Sequence, residues 1–407
     1  MKLFEAGSLW SYKGYRLFWF NTTIFVLGAS AFPIALAVTV LDAGGSATTL
    51  GLILGARVLS GVVFAPFAGV WADRLPRRKV MIGSDLFRAV LVFGMVFISA
   101  PQLPHVLLAL AVFLMGIGDA FGMASAGALL PSLLPEDKLP AGNVARGIVV
   151  RTSTIVGPGI GGLSVFLIGG RLTFLFTAFA FAAGTYFLSK IKEDINADKK
   201  PREPFMVEMR EGLRTVLDIP WIGAMIVMAS IQLMVVLAAE NVLLPVITRR
   251  EFGSNTAFAL SAAAFSFGGI ISAIASIKMR VKHQGRFSVL VWILVIIAPL
   301  SLAFPISQTF VVIAYLFAGL SVGPWEAFWN AAVQREVPRE LQGRVFSIDQ
   351  MGTAGLMPLG MALVGPAVNL FGEKPLLIGA SIFHIIICLL VLLVPGVKDM
   401  KMPAKER

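Results

Sequence analysis

The sequence predicts an all-α membrane protein with twelve transmembrane helices arranged as two pseudo-symmetric six-helix bundles, and three observations predict it. Of 407 residues, 57% are hydrophobic and 14% charged, where a soluble domain carries roughly 25% charged residues. The apolar residues gather in long stretches, and a helical span needs about 20 residues. Lys and Arg concentrate in alternate connections between those stretches, as the positive-inside rule requires of a polytopic protein.

The stretches run at about 15–41, 48–72, 79–100, 104–129, 142–168 and 172–189, then 220–247, 256–278, 287–305, 309–333, 343–371 and 375–396. The first is too long for the apolar core of a cleavable signal peptide and reads as a span. Stretches beyond 20 residues are accommodated by tilt and by helical extension past the bilayer. The polar segment 190–219 splits the spans six and six. It divides the chain into an N-terminal half (1–189), a cytoplasmic linker that is partly a surface amphipathic helix, and a C-terminal half (220–407) with a short tail. With the N-terminus inside, 27 of the 34 Lys and Arg fall on the cytoplasmic side. Only Arg171, Arg249, Arg250 and Lys374 fall on the other. Both termini are therefore expected in the cytoplasm, and the chain in the cytoplasmic (inner) membrane of a bacterium, in contact with lipid.

An internal repeat agrees with the split. Gly116 and Pro135 stand nineteen residues apart, as do Gly319 and Pro338, and each proline precedes charged residues and the glycine that opens the next span, Gly142 or Gly343. Parallel six-span repeats of this kind occur in secondary transporters. In that frame Glu326 falls on Met123 and Asp119 on Val322, so the halves match in frame and differ in their buried acids.

The net charge of +11 is spread over short loops, not gathered in a basic stripe, so nucleic acid is excluded as a partner. The single cysteine, Cys388, lies in an apolar stretch and reads as a small buried hydrophobe. The chain has no Gly-x-x-x-x-Gly-Lys-Ser/Thr loop, no His/Cys cluster with metal spacing and no soluble domain to house an active site. Neither an enzyme, a cofactor nor a metal is expected; the energy source expected is a proton gradient.

The second connection reads Gly69-Val70-Trp71-Ala72-Asp73-Arg74-Leu75-Pro76-Arg77-Arg78-Lys79. It resembles the signature loop between the second and third helices of major facilitator transporters, with Pro76 where that family usually has Gly. The fifth span carries Gly157-Pro158-Gly159-Ile160-Gly161-Gly162, similar to the core of the fifth-helix signature of exporters in that superfamily; Val144 and Ser153 replace its upstream glycines. Gly118-Asp119-Ala120-Phe121 and the 341–347 segment Leu-Gln-Gly-Arg-Val-Phe-Ser resemble the bacterial siderophore-exporter and macrolide-type efflux branch. The resemblance implies the major facilitator fold and a cytoplasmic gate in which Asp73 meets the positive end of a neighbouring helix. Arg74, Arg77 and Arg78, with Asp85 and Arg88 further along, complete that gate, the arginines bridging to carboxylates. It also implies a helix-packing role for Gly157, Pro158, Gly161 and Gly162. The arginine that many drug–proton antiporters of the superfamily carry deep in the fourth helix is absent here.

Ionisable groups inside a span are costly and usually functional, which makes Arg57, Asp119, Arg151, Glu240 and Glu326 candidates for proton coupling or substrate binding. Asp119 and Arg151 lie at similar depth in neighbouring spans and are expected to pair. Arg57 and Glu240 are expected to form an outer gate pair, Glu240 lining a cavity with Asn241. Glu326 shares a helix face with Asn330, and Trp325 and Trp329 beside it suit a lipophilic cation. Gln232 is expected to line the pore, and His384 to be a packed histidine.

The function expected is proton-coupled export of an amphipathic small molecule, a drug or siderophore, by alternating access, the protein acting as a monomer. Import or facilitated movement of a metabolite is the alternative; a non-transporting membrane receptor or scaffold is the alternative from another class.

Overall fold

The computed structural model describes residues 8–98, 105–192, 205–253 and 255–401, all helix, turn and short connection. Eleven helical stretches among these are long and apolar enough to cross a membrane. They belong to α1 (Lys13–Asp42), α2 (Ala47–Arg74), α3 (Arg77–Ile98), α4 (His105–Leu129) and α5 (Leu139–Ser189), and, after the amphipathic α6 (Phe205–Asp218), to α7 (Pro220–Phe252), α8 (Thr256–Lys278), α9 (Gln284–Ala303), α10 (Gln308–Glu336), α11 (Arg339–Phe371) and α12 (Glu373–Val391).

Helix α5 holds two spans. Its 51 residues would extend about 76 Å at 1.5 Å each, more than twice the hydrocarbon thickness of about 30 Å. It breaks at Gly169, whose φ of 78° and ψ of 166° suit only a residue without a Cβ. Arg171, just past the break, donates from Nε to the Val96 carbonyl in the last turn of α3 at 2.7 Å. Twelve spans result among the described residues.

The chain divides into two compact units, Met1–Gly45 with Leu52–Lys199, and Ser46–Gly51 with Lys200–Arg407. The glycines of the repeat do the same work in each. A Cβ on Gly116 of α4 would lie 2.0 Å from the Arg57 carbonyl oxygen of α2. A Cβ on Gly319 of α10 would lie 2.1 Å from the Phe265 carbonyl oxygen of α8. Each glycine thus lets backbone meet backbone, the small-residue contact that holds helices together where lipid is as apolar as the side chains.

At one end of the first unit Tyr15, Phe18, Leu129, Leu130 and Leu188 form a buried cluster, and the Tyr15 hydroxyl donates to the Gly142 carbonyl at 2.9 Å. The core of the second unit gathers Trp221, Trp292, Trp325 and Trp329. Helix α6 belongs to that unit: Arg344 of α11 pairs with Glu211, and Gly212 lies against Arg344. The rest of the linker, 193–204, is outside the described residues.

Candidate functional site

The first unit holds a cluster of four charges contributed by three spans. Arg57 of α2 donates from Nε to Asp119 Oδ2 at 2.9 Å. Arg88 of α3 donates from Nη1 to Asp119 Oδ1 at 2.8 Å and from Nη2 to Asp85 Oδ1 at 2.5 Å. Asn21 of α1 donates to the other Asp85 oxygen at 3.1 Å. Asp85 and Arg88 are 1% and 3% exposed, while Arg57 and Asp119 keep part of their side chains open.

Local sequence builds the cluster. Asp85 and Arg88 stand three apart, on one face of α3. Gly118 and Gly122 flank Asp119 on α4, and a Cβ at either would lie within 2.7 Å of the Arg88 side chain. Aromatic faces complete the surroundings: the Arg88 guanidinium lies 4.1 Å from the Phe25 ring centroid, Phe25 stacks on Phe181, and Arg57 lies 4.9 Å from Phe32. Cation–π attraction of this kind strengthens when water is excluded.

The cluster bears on several expected pairings. Asp119 is held by Arg57 and Arg88; the side chain of Arg151, its expected partner, lies outside the described residues. Arg57 engages Asp119 instead of Glu240. Asp85 and Arg88 belong to this cluster and not to a cytoplasmic latch, because Arg88 lies eleven residues past the start of α3, about 16 Å in. The loop arginines bind helix ends. Arg77 donates to the Ala128 carbonyl at 3.0 Å, and Arg78 donates to the Leu188 and Ser189 carbonyls at 3.0 and 2.6 Å. Carbonyls at the C-terminal end of a helix carry the negative end of its dipole and attract cations. The side chains of Asp73 and Arg74, in the last turn of α2, lie outside the described residues.

In the fifth span a Cβ on Gly157 would lie 2.3 Å from the Ser30 side chain, and one on Gly161 3.0 Å from the Ala31 backbone. This glycine face therefore sits directly on α1. Pro158 lies inside the helix without ending it, and Gly162 belongs to the same segment.

In the second unit, Glu240 of α7 is partly buried and faces Tyr315 of α10. Tyr315 is 2% exposed, and its hydroxyl has no hydrogen bond of standard geometry. Three residues before Glu240 the helix winds as a π turn over Leu233–Leu237, a feature common at functional sites. Asn241 is exposed. Glu326 is partly buried and accepts from the Asn330 side chain at 3.1 Å.

Three residues expected to line a cavity are packed in the core. Gln232 is fully buried; it accepts from Trp292 Nε1 at 2.9 Å and donates to Cys388 Sγ at 3.2 Å. Trp325 stacks on Trp292 with ring centroids 5.0 Å apart. Trp329 stands edge-on to Trp221 and donates to Asp349 at 3.2 Å. His384 is buried, with Nε2 3.1 Å from the Trp292 carbonyl oxygen. Asn21, Tyr315 and the aromatic faces over the arginines went unnoticed in the sequence. The four-residue glycine spacing around Asp119 was the signal for a bulky neighbour, and a tyrosine in mid-span was the signal for a polar partner.

Known proteins give this arrangement its context. The chain is 26% identical over 378 residues to the multidrug efflux pump Tap of Mycolicibacterium fortuitum, covering 90% of this chain and 92% of that protein. It is 24% identical to macrolide efflux protein A of Streptococcus pyogenes, covering 88% and 90%, and 25% identical to the putative bacilysin exporter BacE of Bacillus subtilis, covering 74% and 76%. Among solved structures, the nucleoside transporter NupG superposes with a TM-score of 0.67 at 12% identity, covering 93% of this chain and 98% of that one. A bacterial homologue of the iron transporter ferroportin superposes at 0.68 and 15% identity, covering 95% and 100%. These likenesses establish the fold, and the proteins named are transporters, not enzymes. The Major Facilitator Superfamily model matches residues 18–361, and the chain belongs to that superfamily of membrane transporters.

Proposed function

We propose that this transporter exports an amphipathic small molecule, a drug or siderophore, from the bacterial cytoplasm across the inner membrane by proton-coupled alternating access, with both termini in the cytoplasm. The observation that carries the direction is the glycine face of the fifth span seated on α1, in a segment similar to the exporter signature. The efflux relatives, matched over most of their length, support the same reading. The cytoplasmic placement of the termini rests on the distribution of Lys and Arg among the loops, and the proton coupling on carboxyl groups in the spans of both units.

Everted membrane vesicles carrying the protein provide the test. With an imposed proton gradient, acid inside, they are expected to accumulate ethidium, erythromycin or a catecholate siderophore. Accumulation that ignores collapse of the gradient would remove proton coupling. Uptake into right-side-out vesicles in place of everted ones would reverse the direction.

A further inference from the structure

We propose that the carboxyl that binds and releases the proton is Glu240, held against the Tyr315 hydroxyl in the second unit, and that Asp119 in the charge cluster of the first unit stays ionised throughout. The proposal rests on the proton-coupled reading above and names the group that performs it.

The two acids differ in their company. Among the described side chains, Asp85 and Asp119 are matched one for one by Arg57 and Arg88, and every guanidinium–carboxylate contact is a hydrogen bond. A proton on Asp119 would leave two guanidiniums facing one carboxylate. The cluster would then carry an uncompensated charge inside the membrane, where a lone charge is costly.

Among the described residues Glu240 has no such company. The sequence holds no Asp, Glu, Lys, Arg or His between Thr256 and Ile277 of α8, between Phe287 and Ala303 of α9, between Gln308 and Trp325 of α10, or between Gln350 and Phe371 of α11. Tyr315 is the one ionisable group on α10 within that span, and it is the group that faces Glu240. On α12 the ionisable groups in mid-span are His384, which meets the Trp292 carbonyl, and Cys388, which meets Gln232. On α7 itself Arg249 lies nine residues away, about 13 Å along the helix, and Arg250 is taken by Glu251 and Glu373.

Tyr315 suits both states of such an acid. Its buried hydroxyl makes no hydrogen bond of standard geometry to any other group and is placed to donate to the carboxylate when Glu240 is ionised. When Glu240 binds a proton from water, the new carboxyl O–H donates to the phenol oxygen, and release returns the proton to water. One proton comes and goes with no ion pair to dismantle. The π turn at Leu233–Leu237 sets the facing of Glu240, because it adds a residue to that turn and rotates the remainder of the helix about its axis. Tyr315 is thus a positioning residue and Glu240 the proton carrier.

Infrared difference spectroscopy of the protein in lipid vesicles, stepped from alkaline to acid pH, tracks the carbonyl stretch of neutral carboxyl groups and needs no substrate. Wild type is expected to gain a buried-carboxyl band that Glu240→Gln lacks and Asp119→Asn keeps. Tyr315→Phe, which retains the acid and the ring, is expected to keep the band at a shifted frequency and a shifted midpoint pH. A band that survives in Glu240→Gln, or that is lost in Asp119→Asn, overturns the assignment; an unmoved band in Tyr315→Phe overturns the role of Tyr315. Gradient-driven ethidium accumulation in everted vesicles tests the export reading separately, so failure there leaves the spectroscopic result standing.

Discussion

Arg88 is bonded to two aspartates at once, and replacing it with methionine keeps an apolar side chain of similar length while removing the charge. Asp119 would still hold Arg57, and Asp85 would still accept from Asn21. The loss therefore falls mainly on Asp85, which is 1% exposed. Leaving one member of a buried ion pair uncompensated costs about 3–5 kcal/mol. Arg88→Met is expected to lose that much stability toward thermal unfolding in detergent, monitored by circular dichroism. The double variant Asp85→Asn with Arg88→Met removes one charge of each sign and leaves the Arg57–Asp119 pair standing. It is expected to recover most of the loss, since uncharged replacement of a whole buried pair is often close to neutral. Arg214→Met supplies the scale. Its side chain is 83% exposed, 3.8 Å from Asp218 on the surface of α6, and its removal is expected to change stability by less than about 0.5 kcal/mol. A double variant as unstable as the sum of its singles, or an Arg88→Met indistinguishable from Arg214→Met, would refute the coupled-cluster reasoning.

Gly116→Ala and Gly319→Ala each place a methyl about 2 Å from a carbonyl oxygen of the adjacent helix, so both are expected to reduce the yield of folded protein in size-exclusion chromatography. Gly127→Ala on the same α4, with nothing within 4 Å of its Cβ, is expected to be tolerated, helped by up to about 1 kcal/mol of helix propensity. Arg78→Gln removes charge-assisted bonds to the carboxyl end of α5 and is expected to cost about 1–3 kcal/mol in the same unfolding assay. Trp292→Phe leaves the buried Gln232 carbonyl without its donor at a cost of about 1–3 kcal/mol, and faster labelling of Cys388 by a maleimide is the expected sign, because Gln232 also holds that sulfur.

The spans were legible because hydropathy and length are properties of each segment alone. The boundary expected between residues 168 and 172 falls where the helix breaks, at Gly169. The repeat read from Gly116 and Gly319 has a physical basis in the same backbone contact on α2 and on α8. Partners of buried charges were less legible. Depth along a helix can be counted from residue number, but several spans place a cation at the depth of Asp119, and rotation about the axis decides which one arrives. Arg57 and Arg88 do, and residue spacing alone singles out neither. Tryptophans were misread for a related reason: in a helix apolar on every side, pattern cannot separate a face on the protein core from a face on a cavity. Trp325 and Trp329 went to the core, where Trp292 and Trp221 offered ring surfaces to pack against. The hydrogen bonds of Arg78 to the end of α5 depend on where that helix stops, which composition locates only within a few residues.

The one-to-one matching, among the described side chains, of Arg57 and Arg88 with Asp119 and Asp85 also bears on voltage. An elementary charge carried across a membrane potential of 100 mV exchanges about 2.3 kcal/mol of electrical work. Two guanidiniums and two carboxylates locked together move as a group of zero total charge, and the field does no net work on them however far they travel. A membrane potential can therefore pull on a lone carboxylate or on a charged cargo, but it finds no handle on this cluster.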